Sequence, residues 1–221
     1  MYIQSYDRTR VTIKKGGVLT TGNQITSKPL LKESVAVITG ASSGIGAALA
    51  KRMAREGVSV VIAARREDHL SAIAEEITEK GGRAIPVCAD VTIRGEAEGI
   101  IRTALEAFGR IDILVNNAGR GHFASVEETT DEMIQSMFAL NAFALWYTTR
   151  PALHQMQKQG SGHIINVASM AGKLGYPFNS AYVAAKHACV GFTHALRMEL
   201  IGRISTPPSS VPQAYSPTGH P

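Results

Sequence analysis

A chain of 221 residues with 44% hydrophobic content and a net charge of +5 has the length and apolar fraction of one globular domain with a sizeable core. Its two cysteines, Cys88 and Cys189, lie in apolar stretches; they build neither a disulfide framework nor metal-ligand spacing, and read as buried free thiols of a reducing compartment. No apolar run approaches the roughly 20 residues of a membrane span and no secretory pattern opens the chain, so the expectation is a cytoplasmic protein with no membrane partner and no metal.

Residues 1–33 hold six basic side chains (Arg8, Arg10, Lys14, Lys15, Lys28, Lys32) against Asp7 and Glu33, whereas the remainder holds seventeen against sixteen. The positive excess therefore belongs to an N-terminal extension and makes no patch on the domain, which argues against a nucleic-acid partner. The extension is polar and without a strong period, and reads as flexible.

From residue 34 short apolar runs alternate with longer helical patterns. Strands are expected at Val35 to Ile38, Val58 to Ala63, Ala84 to Ala89, Ile111 to Val115 and His163 to Ala168. Helices are expected at about Ile45 to Glu56, Arg66 to Lys80, Arg94 to Phe108, Thr130 to Gln157 and Ala181 to Leu200. Runs apolar on both faces suit strands buried between two helical layers. The alternation predicts an α/β fold: a doubly wound parallel sheet of Rossmann type with helices on both faces. Ligands of such sheets bind at the carboxyl ends of the strands, and Thr39, Arg65, Asp90, Asn116 and Ser169 all fall at or just past those ends.

Between the first of these strands and its helix stands Thr39-Gly40-Ala41-Ser42-Ser43-Gly44-Ile45-Gly46. Glycines at this spacing let the backbone turn tightly and approach a pyrophosphate, whose charge meets the amides at the helix N-terminus. Further on, Tyr182-Val-Ala-Ala-Lys186 puts a phenol and an ammonium four residues apart on one helix face, with Ser169 thirteen positions earlier. An adjacent cation favours phenolate over phenol, and a tyrosine so tuned can give or take a proton at neutral pH.

The glycine loop, Asn116-Asn117-Ala118-Gly119, Asn141, Ser169 and Tyr182-x-x-x-Lys186, in that order and spacing, strongly resemble the short-chain dehydrogenase/reductase family across about residues 31–200. The resemblance implies that the glycine loop cradles a dinucleotide diphosphate, that Asp90 with Val91 borders the adenine, and that Asn117, Ala118 and Gly119 flank the cofactor. It also implies catalytic roles. Tyr182 would protonate or deprotonate a carbonyl or alcohol oxygen, Lys186 would hold the nicotinamide ribose as well, and Ser169 would bond to the substrate oxygen. Asn141 would kink its helix and hold a water of a proton relay. Members pair their long helices, here about 130–157 and 181–200, into homodimers or homotetramers.

At the end of the second strand, Val60-Val-Ile-Ala-Ala-Arg65-Arg66 has no acid and two arginines. An acid there would bind a ribose 2′-hydroxyl and arginine pairs with a 2′-phosphate, so NADP(H) is expected over NAD(H), with Arg65 the leading contact and Arg66 second. The pocket segments Arg120-Gly-His-Phe123 and Gly172 to Asn179 are poor in charge and suit a small, uncharged, partly apolar carbonyl or alcohol. His122 reads as an exposed loop histidine, with a pocket residue as the alternative.

After Leu200 the chain departs from the family pattern. It runs Ile201-Gly-Arg-Ile-Ser-Thr-Pro-Pro to Pro221 with no acidic residue and five of the nine prolines, a composition that cannot close a core. The expectation is a core domain at 34–203, a disordered tail at 204–221, and one or two final strands missing through truncation or a frameshift. At most Arg203 to Ser205 would begin a sixth strand, and the fifth would be left partly unpaired. Two alternatives to a working oxidoreductase follow: an impaired truncated product that keeps nucleotide binding, or a binding module without turnover.

Overall fold

The structure, a computed structural model, describes residues 4–7 and 31–205. Six strands form one sheet: β1 (Gln4–Asp7), β2 (Val35–Thr39), β3 (Ser59–Ala64), β4 (Arg83–Cys88), β5 (Ile113–Asn116) and β6 (Ser161–Asn166), in the spatial order β1-β6-β5-β2-β3-β4. β2 to β6 run parallel. The helices are α1 (Gly44–Arg55), α2 (Glu67–Glu79), α3 (Arg94–Phe108), α4 (Asp131–Phe138), α5 (Ala144–Gln159) and α6 (Ser180–Ser205).

Each residue of β2 is buried, because both faces of the sheet are covered. Ala36 and Ile38, with Val60 and Ile62 of β3, point into a core shared with Met53 of α1 and Leu70, Ile73 and Ile77 of α2. Val37, Val61 and Ala63 point the other way, toward Ile100 and Ile101 of α3, Met156 of α5 and Leu196 of α6. This two-sided burial explains why the strands read as continuous apolar runs rather than as alternating ones. Helices α3 and α5 end on Gly109 and Gly160, whose φ of 70° and 75° close the last turn in the left-handed region. No helix among the described residues is long and apolar enough to cross a membrane.

Four expectations change. The single helix across 130–157 is three pieces, since a π-helical turn, Ala139–Phe143, separates α4 from α5; a one-residue insertion leaves no mark in the hydrophobic period. Helix α6 continues through 205 instead of yielding to a strand at Arg203, no turn residue being strong enough there to stop it. Cys88 is exposed while Cys189 is buried, because β4 is the edge strand and is only half covered. The flank of β6 left bare in the sequence is taken by β1, which pairs antiparallel with it from Gln4 opposite Ile164 to Asp7 opposite Ser161. The expected tail at 206–221 and residues 8–30 of the extension lie outside the described residues.

Candidate active site

The strand order reverses between β2 and β5, and at their carboxyl ends two loops meet at a switch point. Thr39, only 2% exposed, ties them together. Its Oγ1 accepts from the backbone N–H groups of Asn117 and Ala118, both at 3.1 Å, and donates to the Val115 carbonyl at 3.4 Å. The Asn117 amide answers by donating to the carbonyls of Thr39 at 3.0 Å and Gly40 at 3.1 Å. Two glycines are needed for this closeness. Gly40 has φ +65° and a methyl on it would lie 2.6 Å from Ala118 Cα, while one on Gly46 would lie 2.5 Å from the Gly40 carbonyl.

Beside the loop opens a cleft of about 270 Å³ lined by Gly40, Ser42, Ser43, Arg65, Arg66, Asp90, Val91, Ala118 and Gly119, all expected at the cofactor, by Arg120, expected in a pocket segment, and by Ala64, Ala89 and Leu140, which were not expected. Thr39 is not among them: its hydroxyl is used inside the loops. Ile45 points outward from α1 and is 64% exposed. Ala64 and Ala89 stand at or just past strand ends and Leu140 in the π-helical turn, and only the assembled sheet brings them to the cleft.

The two arginines part company. Arg66 Nη2 donates to Ser42 Oγ at 2.9 Å and Ser43 Oγ at 2.8 Å, and its Nε to Ser42 Oγ at 3.2 Å. Arg65 instead stands 3.6 Å from Asp90 Oδ2, so the leading contact expected from the sequence is the one turned to an acid. Burial raises the pKa of the Asp90 carboxyl, but hydrogen bonds from the Thr92 N–H and hydroxyl, and the Arg65 charge, outweigh it and leave the pKa below the ordinary carboxylate value. Asp90 is therefore an anion at neutral pH. Two guanidinium groups, two hydroxyls and the first-turn amides of α1, which have no partner within the helix, suit a phosphorylated ligand, and a dinucleotide fits this donor set.

Tyr182 and Lys186 of α6 do not line this cleft, but Lys186 Nζ comes close to Gly119 at its border. Lys186 is buried, its Nζ donates to the Val167 carbonyl at 3.0 Å and it lies 5.8 Å from the centroid of the Tyr182 ring. Desolvation pushes the pKa of its ammonium below the ordinary lysine value, opposed in part by Cys189. Asn141 is 1% exposed. The π-helical turn lets its Nδ2 donate both to the Met137 carbonyl at 3.0 Å and to the Arg120 carbonyl at 3.1 Å, while Oδ1 is buried without a partner. A methyl placed on Gly119 would lie 2.9 Å from Asn141 Oδ1 and 3.3 Å from Lys186 Nζ. An acceptor with unused lone pairs and an ammonium donor thus face one small gap above Gly119.

Ser169 follows β6 and accepts from the Ala171 N–H at 3.2 Å, capping the 3₁₀ turn Met170–Gly172. That turn lies on α6, since a methyl on Gly172 would meet the Lys186 carbonyl at 2.7 Å. Tyr182, in the first turn of the helix, packs against Met137, Ala181 and Ala185. Beyond it the two expected pocket segments touch: the Ala124 N–H donates to the Phe178 carbonyl at 2.9 Å, and the Phe123 and Phe178 rings stack with centroids 6.4 Å apart. His122, expected in solvent, is half-buried, with Nε2 shut off from water and unpartnered.

A family model described as short chain dehydrogenase matches residues 34–205. An uncharacterized oxidoreductase of Bacillus subtilis is 43% identical over 171 residues, covering 77% of this chain and 48% of its own length. Among solved structures, actinorhodin polyketide ketoreductase with NADPH superposes with a TM-score of 0.73 at 38% identity, over 76% of this chain and 65% of that one. A short chain dehydrogenase/reductase from Burkholderia phymatum in complex with NAD gives 0.76 at 34% identity, over 78% and 62%. The chain thus spans about half to two thirds of the length of these relatives.

Proposed function

The chain belongs to the short-chain dehydrogenase family, and from that premise we propose that it is an oxidoreductase interconverting a carbonyl and an alcohol, with NADP(H) as its cofactor. The observation that carries this reading is the convergence of Tyr182, the buried Lys186 ammonium and the unpartnered Asn141 Oδ1 beside the phosphate-binding cleft. When bound, the dinucleotide supplies or accepts the hydride. Gly40, Gly44, Gly46, Ser42 and Ser43 with the start of α1 would hold its diphosphate, Arg66 and Arg65 a 2′-phosphate, Asp90 and Val91 the adenine side, and Asn117, Ala118 and Gly119 the flank nearer the chemistry.

In the reductive direction the substrate oxygen is held by the Ser169 hydroxyl and takes its proton from Tyr182 Oη. Lys186, kept in place by the Val167 carbonyl, stabilises the negative charge that develops there. The gap between Asn141 Oδ1 and Lys186 Nζ has one acceptor and one donor, the partners a water needs to pass a proton to Lys186 and on to Tyr182. Phe123 and Phe178 offer stacked apolar surface to a small, uncharged substrate. Pairing of copies along α5 and α6 and a cytoplasmic setting complete the reading.

Thermal unfolding with NADPH and with NADH, followed by NADPH-linked reduction of a panel of carbonyls, tests it. A ligand at a hundred times its Kd stabilises a fold by about 2.7 kcal/mol, so NADPH should raise the melting temperature, and more than NADH does. Tyr182→Phe should keep that shift and lose the reduction. A folded protein that neither nucleotide stabilises, or a Tyr182→Phe enzyme as fast as its parent, would overturn the assignment.

A further inference from the structure

Behind the site a chain of buried amides and hydroxyls joins four elements. Asn116 and Asn166, the last residues of β5 and β6, sit side by side in the sheet register. Asn116 Nδ2 donates to Asn166 Oδ1 at 2.8 Å, and Asn166 Nδ2 donates to Thr193 Oγ1 at 2.9 Å. The Thr193 hydroxyl donates in turn to the Cys189 carbonyl at 2.7 Å. At the other end Asn116 Oδ1 accepts from Thr148 Oγ1 at 2.7 Å, and its Nδ2 also reaches Thr149 Oγ1 at 3.2 Å. All five side chains are 5% exposed or less.

This chain has one polarity. Thr193 has a single hydroxyl proton, committed to Cys189, so it must accept from Asn166; the Asn166 carbonyl must then accept from Asn116, and the Asn116 carbonyl from Thr148. Reversing any amide sets acceptor against acceptor where no water reaches, which fixes both rotamers and the spacing of the elements that carry them. Each of those elements also carries a piece of the site: β5 leads into Asn117–Gly119, β6 into Val167 and Ser169, α5 continues from the turn with Asn141, and α6 bears Tyr182 and Lys186.

Lys186, Cys189, Val190 and Thr193 recur at helical spacing on the sheet-facing side of α6. The end of β6 therefore fastens to α6 twice, through Val167 to Lys186 and through Asn166 to Thr193, two helical turns or about 10 Å apart. A single fastening leaves a helix free to pivot, and two fix it. We propose that Asn166 and Thr193 are positioning residues of the reaction: they hold α6 in the register that seats the Lys186 ammonium between the Val167 carbonyl and the gap above Gly119. This inference rests on the reading of the site given above.

The test follows Lys186 itself. With ¹³C-labelled lysine incorporated into the full chain, the Lys186 Cε resonance, assigned by its loss in Lys186→Arg, is titrated in the wild type and in Thr193→Val. With Cys189, which lies beside Lys186 and is itself hydrogen-bonded to Thr193, replaced by alanine in both proteins, the Lys186 midpoint in Thr193→Val is expected to move up toward those of surface lysines as the ammonium gains solvent. Thr193→Ser, which restores the hydroxyl, should return it. In carbonyl reduction kcat should fall about tenfold to 10²-fold, the scale of a catalytic group displaced by about 1 Å, with a smaller rise in KM for NADPH because Lys186 is also the expected contact of the nicotinamide ribose. An unmoved midpoint beside a lowered melting temperature would show Thr193 to be merely structural and overturn the proposal. Thr148→Val, which cuts the chain at its far end, gives the same readout should Thr193→Val not fold. The titration requires no turnover, so a protein that reduces no carbonyl would sink the proposed function and leave this inference to be judged by Lys186 alone.

Discussion

Gly119→Ala isolates the meeting point of Asn141 and Lys186. The φ of Gly119 is not in the left-handed region, so alanine suits the backbone and the outcome depends on space alone. The added methyl lies 2.9 Å from Asn141 Oδ1, closer than real Cβ contacts allow, and the amide cannot simply rotate because its Nδ2 is held by the Met137 and Arg120 carbonyls. Giving up those two hydrogen bonds costs about 2 kcal/mol at roughly 1 kcal/mol each. For a domain of this size that lowers the melting temperature by about 4–8 °C. Filling the gap also removes the relay position, and kcat should fall about 10²-fold, the lower end of what a positioned proton-transfer group contributes. Differential scanning calorimetry and single-turnover reduction give the two numbers. The double variant with Asn141→Ala is the control: with the amide gone the methyl has room, so Gly119→Ala should add little to Asn141→Ala. Additive losses, or a Gly119→Ala enzyme with unchanged melting and rate, would refute the picture of a shared gap.

Lys186→Met tests the cost of the buried charge. Because the folded-state pKa of Lys186 lies below its ordinary value of 10.5, the native state binds fewer protons than the unfolded chain between the two values. The lysine's contribution to stability therefore rises with pH through that window. The stability difference between wild type and Lys186→Met should shift in the wild type's favour from pH 7 toward pH 10; a flat difference would mean that Lys186 titrates normally. Arg66→Ala should weaken NADPH about 10- to 100-fold by calorimetry, the loss of hydrogen bonds from a charged donor to a phosphate, and leave NADH nearly unchanged. Equal weakening of both would place Arg66 at the diphosphate instead of the 2′-phosphate.

What could be read from the sequence was whatever a local pattern carries. Val35–Thr39 is apolar at each position but the last because both of its faces are covered, so the strand, its layer and its neighbouring loop were plain. The glycine loop was plain for the same reason: Gly40 and Gly46 mark contacts that admit no side chain. Cys88 shows the limit, since its exposure depends on β4 lying at the sheet edge, a fact of strand order that no window of sequence contains. Arg65 and Arg66 are adjacent in sequence, and only the placement of Ser42, Ser43 and Asp90 distinguishes them. Thr148, Thr149 and Thr193 read as ordinary polar helix residues; their partners are 27 to 33 positions away, beyond any periodicity. Asn141 was visible as a residue and invisible as a geometry, because the π-helical turn that aims it adds one residue without breaking the helix.

The strand Gln4–Asp7 has a consequence for how the molecule is assembled. It is synthesised well before β6, its strand partner among the described residues, which emerges some 150 residues later, so this edge is among the last parts of the sheet that can form. Closing so long a loop costs little more than closing one of half the length, but it delays: non-local pairings of this kind slow folding. Until they meet, the outer flank of β6 is an open row of backbone donors and acceptors that another chain can match. The growing chain therefore passes through a stage at which its nucleotide-binding half is complete and its other edge still adhesive, and the fidelity of assembly depends on four residues at the start of the sequence returning in time.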